Sequence, residues 1–269
     1  LGNDVPAVAV QHGCETLCDS YALVKQGRWL YIKEDFVTER SLADHVARFV
    51  SAPADKEAEI EKAFVEWQRE NSIVLGAKQA EAVRNLKYRI SIVTGGPGTG
   101  KTTILNGILS LLGQMQLACL LAAPTGRAAK RLTEVTGENA STIHRLLEAG
   151  IDPGTGDMVF VRDEDNPLKC DAVIVDEMSM VDVELLHHLL QAIPRGKRLI
   201  LVGDPDQLPP VGPGFPFNDM LRSGCLPTVR LTEIFRQAQQ SLIVMNAHRV
   251  NQGQMPELKN VKSDFFFLR

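Results

Sequence analysis

The chain has 269 residues, 44% hydrophobic and 23% charged, a balance that suits a soluble globular protein of one large or two modest domains. Its net charge of -4 excludes a global attraction to nucleic acid, so any such site must be a local basic patch. No apolar run reaches membrane-spanning length and the start lacks a signal-peptide pattern, which predicts a cytoplasmic location and no membrane partner.

In chain order, residues 1–70 read as the end of a small accessory domain plus a connecting helix. Trp29–Ile32 reads as a short strand. Leu42, Val46, Phe49 and Val50 share one helical face, and Ile60, Phe64 and Trp67 share another after the Pro53 break and an Asp55 start signal. The five cysteines (Cys14, Cys18, Cys119, Cys170, Cys225) form no framework. Their number is odd, and the Cys14/Cys18 pair has no second pair to complete a metal site, so reduced thiols are expected.

From residue 71 to 269 strands alternate with helices. The apolar run Ile90–Thr94 precedes Gly95-Gly-Pro-Gly-Thr-Gly-Lys-Thr102, and a helix is expected to begin near Lys101. This fits the phosphate-binding loop pattern G-x-x-x-x-G-K-[ST]. Glycines at 96, 98 and 100, with Pro97 and Thr99 between them, let the backbone curl so that N–H groups face a phosphate. The following helix start adds partial positive charge. Lys101 would reach the β- and γ-phosphates, and the Thr102 hydroxyl, beside Thr103, would hold Mg²⁺.

Leu117–Ala123, Ala172–Val175 and Leu199–Val202 read as strands buried on both faces, the mark of a parallel sheet. Leu185, Leu186, Leu189, Leu190 and Ile193 repeat at helical spacing between two of them. The fold class is α/β, a P-loop, RecA-like, doubly wound parallel sheet. Residues 150–168 interrupt the alternation and read as an inserted β-hairpin.

Val173-Ile-Val-Asp-Glu177 ends a strand in two carboxylates. Asp176 would hold Mg²⁺ through water, and Glu177 would polarise an attacking water as general base. An Asp–Glu pair alone is a weak signal; the phosphate loop upstream strengthens it. A third strand end, Leu201-Val-Gly-Asp-Pro-Asp-Gln-Leu-Pro-Pro210, places Gln207 where it could sense the γ-phosphate, although Asp-Pro also marks a plain turn.

These motifs, with Ala123-Pro-Thr-Gly-Arg-Ala-Ala-Lys130, Ser141-Thr-Ile-His-Arg-Leu-Leu147, Thr232-Glu-Ile-Phe-Arg-Gln237 and Asn246-Ala-His-Arg-Val-Asn251, resemble the first motor lobe of RecD-like superfamily 1 DNA helicases from about residue 75 onward. The resemblance implies ATP and Mg²⁺ as cofactors, and single-stranded DNA or a duplex junction as partner, with other subunits of a recombination nuclease complex possible. It implies that Gln79 recognises adenine and that Arg236 reaches the γ-phosphate. Pro124, Thr125, Gly126 and Arg127, then Thr142, His144 and Arg145, would contact the strand, with Lys130 and Arg131 adding charge. The hairpin is then either a wedge that splits the duplex or an inert excursion. No second motor lobe is found in this sequence. An RNA-directed motor, the helicase part of a conjugative relaxase and a non-motor nucleotide sensor remain alternatives.

Overall fold

The computed structural model describes residues 5–235, 239–258 and 264–266. It opens with α1 (Ala7–Asp19), which buries none of its side chains, and an antiparallel hairpin of β1 (Leu23–Gln26) and β2 (Trp29–Ile32). Two helices lead from there onto opposite faces of the main sheet. α2 (Lys33–Val50) buries Leu42 and Phe49 in one core, whereas Val50, its last residue, is exposed beyond the turn that meets that core. α3 (Glu57–Asn71) buries Ile60, Phe64 and Trp67 in the other.

Asp55 does not start α3. It turns away to pair with Arg89 at 2.9 Å and Arg198 at 3.3 Å, while Lys56 enters the helix in the left-handed conformation. Two cationic partners outweigh a neutral helix cap, because hydrogen bonds between charged groups are about twice as strong.

The sheet domain then unfolds in order as α4 (Ala77–Arg84), β3 (Ile90–Gly95), α5 (Lys101–Gln114), β4 (Cys119–Ala123), α6 (Gly126–Thr136), β5 (Ala140–Thr142) and α7 (Ile143–Leu146). A small antiparallel hairpin follows, β6 (Ala149–Ile151) with β7 (Met158–Phe160). After it come β8 (Ala172–Val175), α8 (Val183–Ala192), β9 (Arg198–Gly203), α9 (Pro216–Ser223), β10 (Thr228–Leu231) and α10 (Leu242–Asn251). Six strands pair in the order β10-β3-β9-β8-β4-β5, every adjacent pair parallel.

Every residue of β3, β8 and β9 is buried, so these strands need no polar alternation. Their pleat sends successive side chains to opposite faces. Ile92, Val173, Val175 and Leu201 meet α8 and α9 on one face, and Val93, Ile174, Ile200 and Val202 meet α3, α4 and α5 on the other. This is the expected doubly wound α/β fold. One strand begins later than its apolar run suggests: the Leu117 N–H bonds Leu112 O at 2.9 Å to close the end of α5, with Gln116 left-handed, and β4 starts only at Cys119. The inserted hairpin is likewise narrower than its segment, because residues 161–168 form loop rather than strand.

Candidate functional site

Six parallel strands send all their following loops to one edge of the sheet, and the site is built there. The loop after β3 turns through Gly98 and Gly100, at φ 75° and 86°, where a side chain would be strained. It is also closely packed. A Cβ on Gly95 would fall 2.7 Å from the Leu231 carbonyl, and one on Gly100 would fall 2.6 Å from the Phe235 ring. Thr99 is buried and donates from Oγ1 to Gly96 O at 2.8 Å. α5 begins at Lys101, as expected, with Thr102 and Thr103 exposed in its first turn. The Lys101 ammonium folds over the loop and donates to the carbonyls of Gly95 and Gly96.

The charges that face Lys101 come from the next two strand ends. Burial pushes its pKa down, and Asp204, Asp176 and Glu177 oppose that shift in this order. Burial raises the Asp176 pKa; the Glu177 backbone N–H acts against this and the Glu177 charge adds to it, while Lys101 lowers it. The lysine and both predicted carboxylates therefore share one electrostatic centre over β3, β9 and β8. Asp176 is tied to β4 through its N–H and Ala122 O at 2.9 Å. Glu177 sits at φ 55°, ψ 40°, a left-handed conformation that costs a non-glycine residue about 1–2 kcal/mol.

Gln79 lies buried in α4 with its amide nitrogen against Gly100, beside the phosphate loop. Its carbonyl oxygen accepts from the Gly76 N–H at 3.2 Å, so pairing with a base in both directions requires release of that tie. Gln207 is exposed, and its N–H bonds Asp204 O at 3.2 Å. It lines a cleft of about 780 Å³ together with Thr94, Gly96, Pro97 and His248. Arg236 lies outside the described residues.

The other end of the same edge is open. After β4, Pro124 is half-buried and Thr125, Gly126 and Arg127 are exposed, with Thr125 Oγ1 accepting from the Ala128 N–H at 3.2 Å to cap α6. After β5, Thr142 caps α7 in the same way, accepting from the Arg145 N–H at 3.1 Å. Arg145 is exposed, while the half-buried His144 ring lies 6.1 Å from Phe160 of the hairpin. Phe160 also packs on His188 at 4.4 Å, which roots the hairpin on α8. Lys130 and Arg131 are exposed on α6 beside this segment.

Several residues at the site carry no role in the sequence reading. Asp204 is 3% exposed at the end of β9 and is the strongest charge opposing Lys101's shift. Its signal was a carboxylate just past an apolar strand, the same kind that marks Asp176. Thr94 in β3 and Ser179, two residues past Glu177, bury hydroxyls without a hydrogen-bond partner among the described residues. Phe235 and His248 reach the phosphate loop from far along the chain, and only folding reveals it.

Residues 79–213, half of the chain, match the family described as AAA domain. The chain belongs to the AAA domain family. The matched segment of this AAA domain runs from Gln79 through the phosphate loop and the Asp176–Glu177 pair to the loop after Gln207. The ATP-dependent RecD2 DNA helicase of Deinococcus radiodurans is 38% identical over 237 residues, covering 87% of this chain and 32% of that protein. The RecBCD enzyme subunit RecD of Mycolicibacterium smegmatis is 35% identical over 219 residues, covering 72% of this chain and 38% of that subunit. The ATP-dependent DNA helicase dda of Enterobacteria phage T4 is 39% identical over 138 residues, 50% of this chain and 31% of that helicase. The resemblance to RecD-like superfamily 1 helicases holds, and the chain's matches span about a third of the length of these relatives.

The residues present suit a nucleotide's phosphates and a hard cation. The loop leaves no room for Cβ atoms at Gly95 and Gly100, a lysine stands over it, and the donors expected to hold Mg²⁺, Thr102 and Asp176, are both oxygen groups.

Proposed function

We propose that the chain is the first motor lobe of an ATP-driven DNA translocase and helicase that acts in recombination and repair. The single observation that carries this reading is the shared centre of Lys101, Asp176 and Glu177 at the ends of β3 and β8, the two strands that flank β9. A lysine already deprived of water and faced by three carboxylates gains most when a polyanion and its cation enter together. The loop N–H groups and the α5 start would take the β-phosphate, and Lys101 would leave its two carbonyl partners for the phosphate oxygens. Thr102 and, through water, Asp176 would hold Mg²⁺, whose charge would offset the one that builds on the β- and γ-phosphates. Glu177 would accept the proton of the attacking water, and Gln207, at the mouth of the cleft, would register the γ-phosphate. Arg236 is assigned to the same phosphate on the resemblance alone.

DNA would run along the open end of the edge, over Pro124–Arg127 and Thr142–Arg145. Backbone N–H groups at two helix starts and two exposed arginines suit successive phosphates of a single strand. The hairpin rooted through Phe160 stands beside this track and suits a strand-splitting wedge. The names of the relatives support ATP-driven DNA unwinding; 5′-to-3′ movement, a cytoplasmic setting and residues 1–70 as accessory segment are assigned on the family resemblance and the sequence pattern alone. A second lobe would close over the nucleotide, and this closure would convert hydrolysis into movement. By itself the chain should bind nucleotide weakly and hydrolyse it slowly.

The test is ATP turnover by a protein that carries this lobe together with a second one, measured with single-stranded DNA, with RNA of the same sequence and with no nucleic acid. DNA should stimulate strongly. Stimulation by RNA alone would make this an RNA motor, and no stimulation by either would end the helicase reading.

A further inference from the structure

A phosphate loop works only if its peptide N–H groups point inward, and in a planar trans peptide the N–H points opposite to the preceding carbonyl. Whatever grips the carbonyls from outside therefore aims the donors. Besides Thr99 and Lys101, which grip the Gly95 and Gly96 carbonyls from within the loop and its helix, two grips come from distant parts of the chain. Phe235 N–H donates to Gly98 O at 3.1 Å. The other comes from α10: His248 Nε2 meets Pro97 O at 3.0 Å, which makes Nε2 the protonated nitrogen, since a carbonyl only accepts. The His248 ring also fills the space a side chain on Gly96 would need, with its Cε1 2.8 Å from that Cβ position. No side chain larger than hydrogen at 96 is compatible with the imidazole in place.

α10 is itself pinned. Asn246 is buried and holds the backbone of Glu257 from both sides, its Nδ2 donating to O at 3.0 Å and its Oδ1 accepting from N–H at 2.6 Å. Arg249 donates to Met255 O at 2.8 Å. Further along the helix, Asn251 donates to Asp206 Oδ2 at 2.6 Å and so holds the loop that carries Gln207. One helix therefore touches both loops that flank the cleft.

Resting on the phosphate-loop reading above, we propose that His248 is a positioning residue for the nucleotide's β-phosphate. It fixes the Pro97–Gly98 peptide so that the Gly98 N–H faces the phosphate, and its anchor is the α10 framework rather than the loop itself. It touches neither substrate nor reacting atoms.

The 269-residue chain is titrated with a fluorescent ADP analogue and, in competition, with ADP and AMP in the presence of Mg²⁺. The variants are His248→Ala, His248→Gln, and Lys101→Ala as reference. Loss of one hydrogen bond that orders a donor predicts about 3- to 10-fold weaker ADP binding in His248→Ala. AMP, which lacks the β-phosphate, should bind as it does to the unaltered chain, so the ADP-over-AMP preference shrinks. His248→Gln, which restores an N–H donor, should recover most of it. Equal weakening of AMP and ADP would mean a general loss of structure and would overturn the proposal, as would unchanged ADP binding in His248→Ala alongside weakened binding in Lys101→Ala. If Lys101→Ala also binds ADP unchanged, it is the phosphate-loop reading that falls.

Discussion

One sheet edge carries two differently built halves. Over β3, β9 and β8 the charges are sunk among apolar strands, and burial pushes the Lys101 and Asp176 pKa values away from their usual ranges. Over β4 and β5 the cations Arg127 and Arg145 stand in solvent. Removing charges from water strengthens their mutual interaction and suits bond-breaking. Exposed charges give long-range attraction that salt screens, which suits holding a strand while it moves. On the proposed function, depth alone would separate chemistry from grip.

The largest effect that could break this contrast is at Glu177. Glu177→Gln should lower ATP turnover by about 10²- to 10⁴-fold, the range for loss of a general base, while nucleotide affinity changes little. Pre-steady-state phosphate release checks this, and near-normal release would remove Glu177 from the chemistry. The next largest effect is on stability. Trp67→Ala should destabilise by about 3–5 kcal/mol, because Trp67 is 4% exposed and packs on Gly107 of α5. Denaturant unfolding would show it, and a much smaller loss would detach α3 from the sheet's core.

The open half should respond more gently and through salt. Arg127→Ala and Arg145→Ala should each weaken single-stranded DNA binding and reduce the slope of log affinity against log salt by about 0.7, with nucleotide binding unaffected. A slope that does not change would take that arginine off the phosphate track. The smallest effect is chemical. Burial pushes the Cys119 thiol up to about 12 and the Cys170 thiol up to about 11, so iodoacetamide at pH 8 should modify exposed Cys225 and leave those two until the chain unfolds. Mass mapping of the labelled peptides reads this directly.

A pH titration sharpens the boundary at the opposite edge of the sheet. Burial acts to raise the Asp55 pKa, but the charges of Arg89 and Arg198 outweigh it and hold the carboxyl below its ordinary value. The tie is therefore fully present above the unfolded-state pKa and lost as pH falls through the folded one. Asp55→Asn should flatten that acid limb of the stability profile.

The centre of the fold was legible because its signals are local. An all-apolar run followed by a turn of glycines or by carboxylates needs no distant information, and β3, β8, β9 and the α5 start lie where the pattern places them. β5 and β10 escaped notice because they are edge strands of three and four residues with partly exposed positions, too short for a period to register. Asp55 misled because a carboxylate before a helix reads as a cap until two distant arginines arrive, Arg89 just ahead of β3 and Arg198 at the start of β9. Asp204 and His248 show the same limit in the site: their importance lies in what they face across the fold.

The strand order has a consequence for how the molecule is made. β3, which carries the phosphate loop, is the first strand of the six-stranded sheet to be synthesised, yet its two neighbours are β9 at residues 198–203 and β10 at residues 228–231. Both edges of β3 therefore wait unpaired while residues 96–197 emerge, and long-range parallel pairing of this kind forms slowly. A ribosome-bound chain halted before residue 228 should expose that apolar strand to chaperones, and the nucleotide cradle can be assembled only once β10 has left the ribosome.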